Sequence, residues 1–191
     1  GTKHYTMMLW SQNMSVVHVS THCSLREACD RAKKSRVLEC IHLAHDAMKR
    51  LGLGRPHVAV AGLNPHSGEH GLFGREEIEE IIPAVEEARA EGLNVDGPVP
   101  PDTVFLKAYN GIYDIVVAMY HDQGHIPMKM MAFDTGVNVT LGLPIIRTSV
   151  DHGTAFDIAG KGIAKEDSMF SAIDLGIRFA KGICLSSSDN K

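Results

Sequence analysis

The sequence is poor in paired cysteines. Cys23, Cys29, Cys40 and Cys184 are the only four, and no two form a C-x-x-C pair. That spacing suggests neither a zinc knuckle nor a dithiol redox motif, and all four are expected to be reduced thiols. Cys23 reads most simply as a small buried hydrophobe. A basic excess is missing too: the formal net charge is −4 and no stripe of lysine and arginine stands out. Nucleic acid is therefore not expected as a partner. No apolar run approaches the roughly 20 residues of a membrane span. There is no basic-then-apolar leader segment, so no membrane association is expected and a cytoplasmic location follows. The chain opens Gly1-Thr2-Lys3 without an initiator methionine, as a piece of a longer polypeptide would. Internal repeats, low-complexity tracts and linkers are absent. A composition of 44% hydrophobic and 22% charged residues is that of an ordinary globular protein, with room for one large domain or two small ones.

The patterning predicts strands alternating with helices. Met14 to Thr21 alternates around Val17 and Val19 and reads as a strand, with His18 pointing away from those two valines. Ser24-Leu25-Arg26-Glu27 has capping-box spacing, so a helix is expected to start there, with Glu27 reaching back to the cap. A second helix is expected from about Val37 to Leu51, closed by Gly52 and Gly54. His57 to Gly62 is a short apolar strand, and a Gly-rich loop follows from Leu63 to Gly74. Ile78, Ile81, Ile82 and Val85 share a helical face, but Pro83 lacks the backbone donor, so a kink or a late helix start is expected. Gly97 to Pro101 reads as a connector, and Asp102 as the cap of a short helix through Tyr109. Further strands are expected at Asp114 to Met119, Val137 to Thr140 and Ile145 to Thr148, with a loop entering a helix over His121 to Phe133. Phe170, Ile173, Ile177 and Ala180 repeat at helical spacing and are expected to be core. Together these predict an α/β fold with a largely parallel or mixed sheet.

Of the 11 histidines, three occupy comparable positions. His22 follows the strand ending VVHVST, His66 follows VAVAG through Leu63-Asn64-Pro65, and His121 follows DIVVAM through Tyr120. In open α/β sheets ligands gather beyond the carboxyl ends of the strands. Three imidazoles that leave one position open are a known catalytic metal arrangement, and the open position can polarise a substrate oxygen. A single loop histidine is ordinarily a solvated polar side chain, and spacing alone leaves both readings open. His4, His18, His42, His45, His57 and His70 lack such a setting.

Three segments together resemble one family. Gly62-Leu63-Asn64-Pro65-His66-Ser67-Gly68-Glu69 is similar to the GLNPH-x-GE loop of the 4-hydroxythreonine-4-phosphate dehydrogenase family, and Tyr120-His121-Asp122-Gln123-Gly124 to its YHDQG loop. The run from Gly136 to Pro144, continued from Ile145 to Ala155, resembles its longest signature. The likeness extends over nearly the whole chain, including Ser20-Thr21-His22. His125 departs from it, at a position where vitamin-pathway members carry an apolar residue.

The resemblance implies a nicotinamide-linked dehydrogenase. Its divalent metal (Zn, Mg, Co or Mn) falls on His22, His66 and His121. Its substrate-binding residues fall on Lys129, Asn138 and Arg147, and cations with an amide donor suit a phosphorylated hydroxy acid. Asp102, Asp122 and Lys129 are the candidate catalytic groups, with Asp102 equally readable as a helix cap. His152, Gly153, Thr154 and Asp157 lie in a stretch that resembles the nucleotide-binding segment of isocitrate and isopropylmalate dehydrogenases. Those enzymes bind NAD or NADP without the G-x-G-x-x-G fingerprint, which this chain also lacks.

The implied fold is isocitrate/isopropylmalate dehydrogenase-like, three-layer α/β/α, lacking much of the N-terminal portion and its substrate-binding His-Thr pair. Residues 1–135 would form a metal-binding and dimerisation region, and residues 136–191 a segment of the cofactor domain. The family is homodimeric with a site shared between subunits, which puts His22 and the His66/His121 pair on different chains. Its branches act on 4-phosphohydroxy-threonine in vitamin B6 synthesis, on erythronate or threonate 4-phosphate, and on a dihydrodiol dicarboxylate. The Ser15 to His22 stretch resembles the sugar-acid branch. Rival readings are a metal-binding dimeric fragment without turnover and, more distantly, a three-histidine hydrolase or aldolase.

Overall fold

Short β-branched runs alternate with helical stretches, and the computed structural model, which describes residues 2–132 and 135–182, turns them into one sheet with helices on both faces. Phe133, Cys184 and the rest of 183–191 lie outside the described residues. The strands are β1 (Thr6–Trp10), β2 (Ser15–His18), β3 (His57–Ala61), β4 (Asn94–Val99), β5 (Ile115–Ala118), β6 (Val137–Leu141) and β7 (Arg147–Val150). The helices are α1 (Leu25–Arg31), α2 (Lys34–Arg50), α3 (Ile82–Ala90), α4 (Pro101–Tyr109), α5 (His121–Ala132) and α6 (Asp167–Lys181).

The sheet runs β4-β3-β5-β2-β1-β6-β7. Its first four strands are parallel, and β1, β6 and β7 extend it antiparallel. One face packs Val17, Val58, Val60, Ile115 and Val117 against Val37, Ile41 and Met48 of α2 and Val85 of α3. The other packs Val16, Ala59, Val116 and Ala118 against Val104 and Ala108 of α4 and Met128 of α5. A parallel strand covered on both faces reads as a continuous apolar run, which is why VAVA and IVVA were legible. Among the described residues no helix is long and apolar enough to cross a membrane.

Several expectations are corrected. The chain's first strand, β1, was not anticipated. Neither was β4: the segment read as a connector contributes Gly97, Pro98 and Val99 to the sheet. Proline is tolerated there because β4 is an edge strand, where a missing N–H costs no ladder bond. Ser24 does cap α1, accepting from Glu27 N at 3.2 Å. Glu27, instead of reaching back, pairs with Arg31 at 2.6 Å, a helix-surface i,i+4 contact. Pro83 is accommodated at the first turn of α3, after a wide π-type turn over Glu77–Ile81. Helix α5 begins at His121 without an intervening loop.

Asp102 caps nothing. Pro100 is the cap residue of α4, and Asp102 lies exposed in the first turn, where a carboxylate still complements the helix dipole. Cys23 is half-buried, not core; Cys40 is the fully buried thiol, and burial pushes its pKa up to about 11. Cys23, Cys29 and Cys40 are all free thiols. The Phe170, Ile173 and Ile177 stripe is exposed, Phe170 at 66% and Ile173 at 52%, while Ala172, Leu175 and Phe179 form the buried face of α6. Helix α6 is apolar on two faces, so periodicity could not say which one the sheet takes. His18 is 1% exposed: α5 covers the face to which it points.

Helix α5 sits so close to β2 because residue 124 is glycine. A Cβ there would collide with His18 Nε2 and stand 2.8 Å from Val16 Cγ1. Gly124→Ala is expected to destabilise the fold by about 1–3 kcal/mol through overpacking, read as a lower midpoint in urea unfolding. A wild-type midpoint would mean that α5 is not seated on β2 in this way.

Candidate metal and substrate site

The four parallel strands end side by side, and a belt of hydrogen bonds ties their carboxyl ends together. Ser20, beyond β2, donates its hydroxyl to Met119 O at 3.0 Å. Gln123, in the first turn of α5, accepts from Met119 N at 2.6 Å and donates to Gly62 O at 2.8 Å. Gly62 N in turn donates to Val99 O of β4 at 2.9 Å. The belt runs β2, β5, β3, β4 and carries His22, His121, His66 and Asp102 on the loops and helix starts just beyond it. The glutamine of the YHDQG loop is therefore an amide crosslink with both ends used. Sequence reading quoted it without assigning it a role.

His121 and His22 come together: their ring centroids are 5.9 Å apart, and they share a pocket wall with Cys23 and Asp122. Two imidazoles on one tetrahedral zinc have ring centres roughly 5 Å apart, given Zn–N near 2.0–2.1 Å, so a small rotation would let both hold one ion. His121 Nδ1 stands 2.7 Å from Asp122 Oδ1. A carboxylate on the far nitrogen is how a metal-ligating histidine is oriented, and it leaves Nε2 for the ion. His22 and His121 are thus two nitrogen donors of the kind a divalent metal takes. A single chain brings His22 and His121 this close.

His66 is held in another way. It opens a left-handed turn in which His66, Ser67, Gly68, Glu69 and His70 all have positive φ. Each non-glycine residue there costs roughly 1–2 kcal/mol. The buried carboxylate of Glu77 offsets part of this by accepting Leu63 N at 2.8 Å, Asn64 N at 2.7 Å and Asn64 Nδ2 at 3.0 Å. Gly68 and Gly74 are glycines for the same reason: a Cβ at Gly68 would stand 2.6 Å from Glu77 Oε2, and one at Gly74 would meet Asn64 Nδ2. The His66 ring is exposed, with Glu69 Oε2 at 3.4 Å and Phe73 at its edge. Glu77 lies in the charged run Arg75 to Glu80, which reads as solvated, so only the fold reveals it. Among the described residues no three His, Cys, Asp or Glu side chains form a ready cage. The strand order nonetheless sets His66, His121 and His22 beyond three adjacent strands.

Beside this edge lies an open cleft of about 750 Å³, lined by His22, Ser20, Arg36, Asn138 and Arg147 among others. Arg147 donates to Thr140 Oγ1 at 2.9 Å, and Asn138 Nδ2 lies 3.0 Å from Met7 Sδ. Arg36 is anchored by Val19 O, Tyr5 O and Glu39. Lys129 is not part of that lining; it pairs with Asp151 Oδ2 at 3.1 Å, linking α5 to the end of β7. His152, Gly153, Thr154 and Asp157 follow Asp151 as an exposed turn, in which His152 Nδ1 bonds Gly153 O at 3.0 Å.

Two further histidines, missed as a cluster by sequence reading, back the site. His125 stacks on His121, and His18 packs against His125 at 4.7 Å. Burial, then the neighbouring His125, lowers the His18 pKa to about 3, and burial with His121 also lowers that of His125.

Fold and strand-end geometry together define an α/β protein that gathers histidine, amide and cationic side chains beyond the carboxyl edge of a mixed sheet, where ligands of open α/β sheets collect. The family model described as pyridoxal phosphate biosynthetic protein PdxA matches residues 1–176, and the chain belongs to that family. It is 55% identical over 179 residues to the D-threonate 4-phosphate dehydrogenase of Salmonella typhimurium, covering 94% of this chain and 55% of that protein. It is 53% identical over 178 residues to the 4-hydroxythreonine-4-phosphate dehydrogenase of Beijerinckia indica, covering 93% of this chain and 53% of that protein. A crystal structure of 4-hydroxythreonine-4-phosphate dehydrogenase from Klebsiella pneumoniae superposes with a TM-score of 0.85 at 52% identity, over 94% of this chain and 55% of that one. The chain thus spans about half the length of the relatives it matches.

Two outcomes are expected. His18 is protonated in the unfolded chain below about pH 6.5 but not in the native one until about pH 3. Unfolding therefore takes up a proton in this window, and stability falls as pH drops through it, by at most about 1.4 kcal/mol per unit. Urea unfolding between pH 7 and 4 should show a shallower fall for His18→Leu than for wild type; equal slopes would remove His18 as the cause. Separately, Glu77→Ala strands two part-buried N–H groups, Leu63 N and Asn64 N, at about 1 kcal/mol or somewhat more each. It should lower the unfolding midpoint and expose the 63–74 loop to proteolysis. An unchanged loop would overturn the clamp.

Proposed function

We propose that this chain is part of a nicotinamide- and divalent-metal-dependent dehydrogenase that oxidises a phosphorylated four-carbon hydroxy acid. The names of its relatives point to D-threonate 4-phosphate or 4-phosphohydroxy-L-threonine. The observation that supports this reading most is the run of His66, His121 and His22 beyond adjacent parallel strands, beside a cleft lined by Arg36, Asn138 and Arg147. A phosphate and a carboxylate on one small molecule require such an uneven distribution of cations.

In this reading His22, His66 and His121 hold the metal, with Asp122 fixing the tautomer of His121. When bound, the ion supplies a Lewis acid that lowers the pKa of the substrate hydroxyl. Arg147 and Lys129 bind the acid groups and Asn138 orients the hydroxyl. The hydroxyl proton goes to Asp102, Asp122 or Lys129 as hydride leaves the same carbon for the nicotinamide ring, and the C–O bond becomes a carbonyl. Oxidation beside the carboxyl-bearing carbon gives a β-keto acid, with or without subsequent loss of carbon dioxide. NAD or NADP is taken by the exposed turn of His152, Gly153, Thr154 and Asp157, so that 136–191 serves the cofactor side and 1–135 the metal and dimer side. The full-length fold is isocitrate/isopropylmalate dehydrogenase-like, and the protein works as a homodimer whose site draws on both subunits.

The test is reduction of NAD or NADP by the full-length parent, followed at the reduced-cofactor absorbance with each phosphorylated acid and a divalent metal. Turnover is expected, with KM raised at least about tenfold in Arg147→Ala. The 191-residue chain alone is expected to be about 100-fold slower or inactive, because positioning groups from the rest of the protein are missing. No turnover by the parent on any such acid would overturn the reading.

A further inference from the structure

His125 has no role in the reaction just proposed, yet it is 7% exposed and built into the same corner. It follows His121 by one turn of α5, so the two side chains lie on one helix face. Their rings are stacked, with centroids 3.6 Å apart and planes 10° from parallel. His125 Nδ1 lies 3.0 Å from His121 O. A carbonyl can only accept, so Nδ1 carries the proton and donates, which fixes the tautomer and the tilt of the His125 ring. His18 closes the far side at 4.7 Å. Behind His18, Gly124 admits no side chain that would push the layers apart.

His121 is therefore held at two places. Its edge is held by Asp122 through Nδ1, and its face by His125. Asp122 is exposed and sits at the helix start, so its hydrogen bond alone would let the His121 ring swing about that contact. A flat partner under the whole ring stops the swing.

We propose that His125 is a positioning residue: its ring is the platform that holds the His121 imidazole in the one orientation that offers Nε2 to a divalent ion. This rests on the metal reading of His121. Outer partners of metal-ligating histidines are typically worth 10–100-fold in metal affinity. A stacking platform should contribute at the low end, because the Asp122 contact remains.

The experiment uses the whole chain, freed of metal, titrated with Co²⁺ and followed by its visible absorption. His125→Leu keeps an apolar group of similar size but no flat face; His125→Phe keeps the face. The leucine variant is expected to bind Co²⁺ about tenfold more weakly with altered band positions, and the phenylalanine variant to stay within about threefold of wild type. Equal binding by wild type and His125→Leu, or equal losses in the two variants, would overturn the platform while leaving the metal reading intact. No Co²⁺ binding by wild type would overturn both. A second measurement needs no substitution: in the metal-free wild type, proton NMR of the His121 ring should show upfield ring-current shifts that the His22 ring lacks. Their absence would equally overturn the proposal.

Discussion

The candidate site depends on the side chain of Gln123. Parallel strands hydrogen-bond along their length but not beyond their ends, where backbone groups must find other partners or face water. Gln123 answers that requirement for β5 and β3 at once, accepting from Met119 N and donating to Gly62 O. Ser20 extends the belt to β2 and Val99 to β4. Because each bond uses backbone close to a candidate site residue, the belt fixes the spacing of the strand ends that carry His22, His121 and His66. The belt is buried, so every one of its groups would be costly to leave unpaired.

Around this belt His121 and His66 are presented by opposite means. His121 rides on a regular helix, with Asp122 at its edge and His125 under its face. His66 sits in left-handed backbone that no helix propensity would produce, held from beneath by a carboxylate that collects three N–H donors. Strain of that kind persists only where the surroundings over-determine it, and Glu77, Gly68 and Gly74 are those surroundings. The cleft beside them gathers its cations from distant segments: Arg36 comes from the start of α2 and Arg147 from β7. Neither is remarkable in the sequence, and the cationic wall exists only because β1 inserts between β2 and β6.

Much was legible from the sequence alone. The apolar runs HVAVA and IVVA became β3 and β5 because both faces of a central parallel strand are buried, and the Ser24 cap, the α2 stripe and the late start at Pro83 are local effects of backbone hydrogen bonding. The three strand-end histidines could be singled out because strand, loop and helix follow each other in a short span, and their long motifs carried the family. Other features needed the tertiary structure. Whether Phe170 or Leu175 faces the sheet is undetermined in a helix apolar on two sides. That Pro98 belongs to a strand depends on that strand lying at the edge. His18, Glu77 and His125 are polar residues in unremarkable local patterns, and their burial is set by α5 and the 63–74 loop folding over them. Local interactions act within a few residues and leave their trace in the pattern. The partners that bury a histidine, clamp a loop or stack two rings come from segments far apart in the chain, or from a helix whose seat on the sheet is itself fixed by such segments, and only the folded chain selects them.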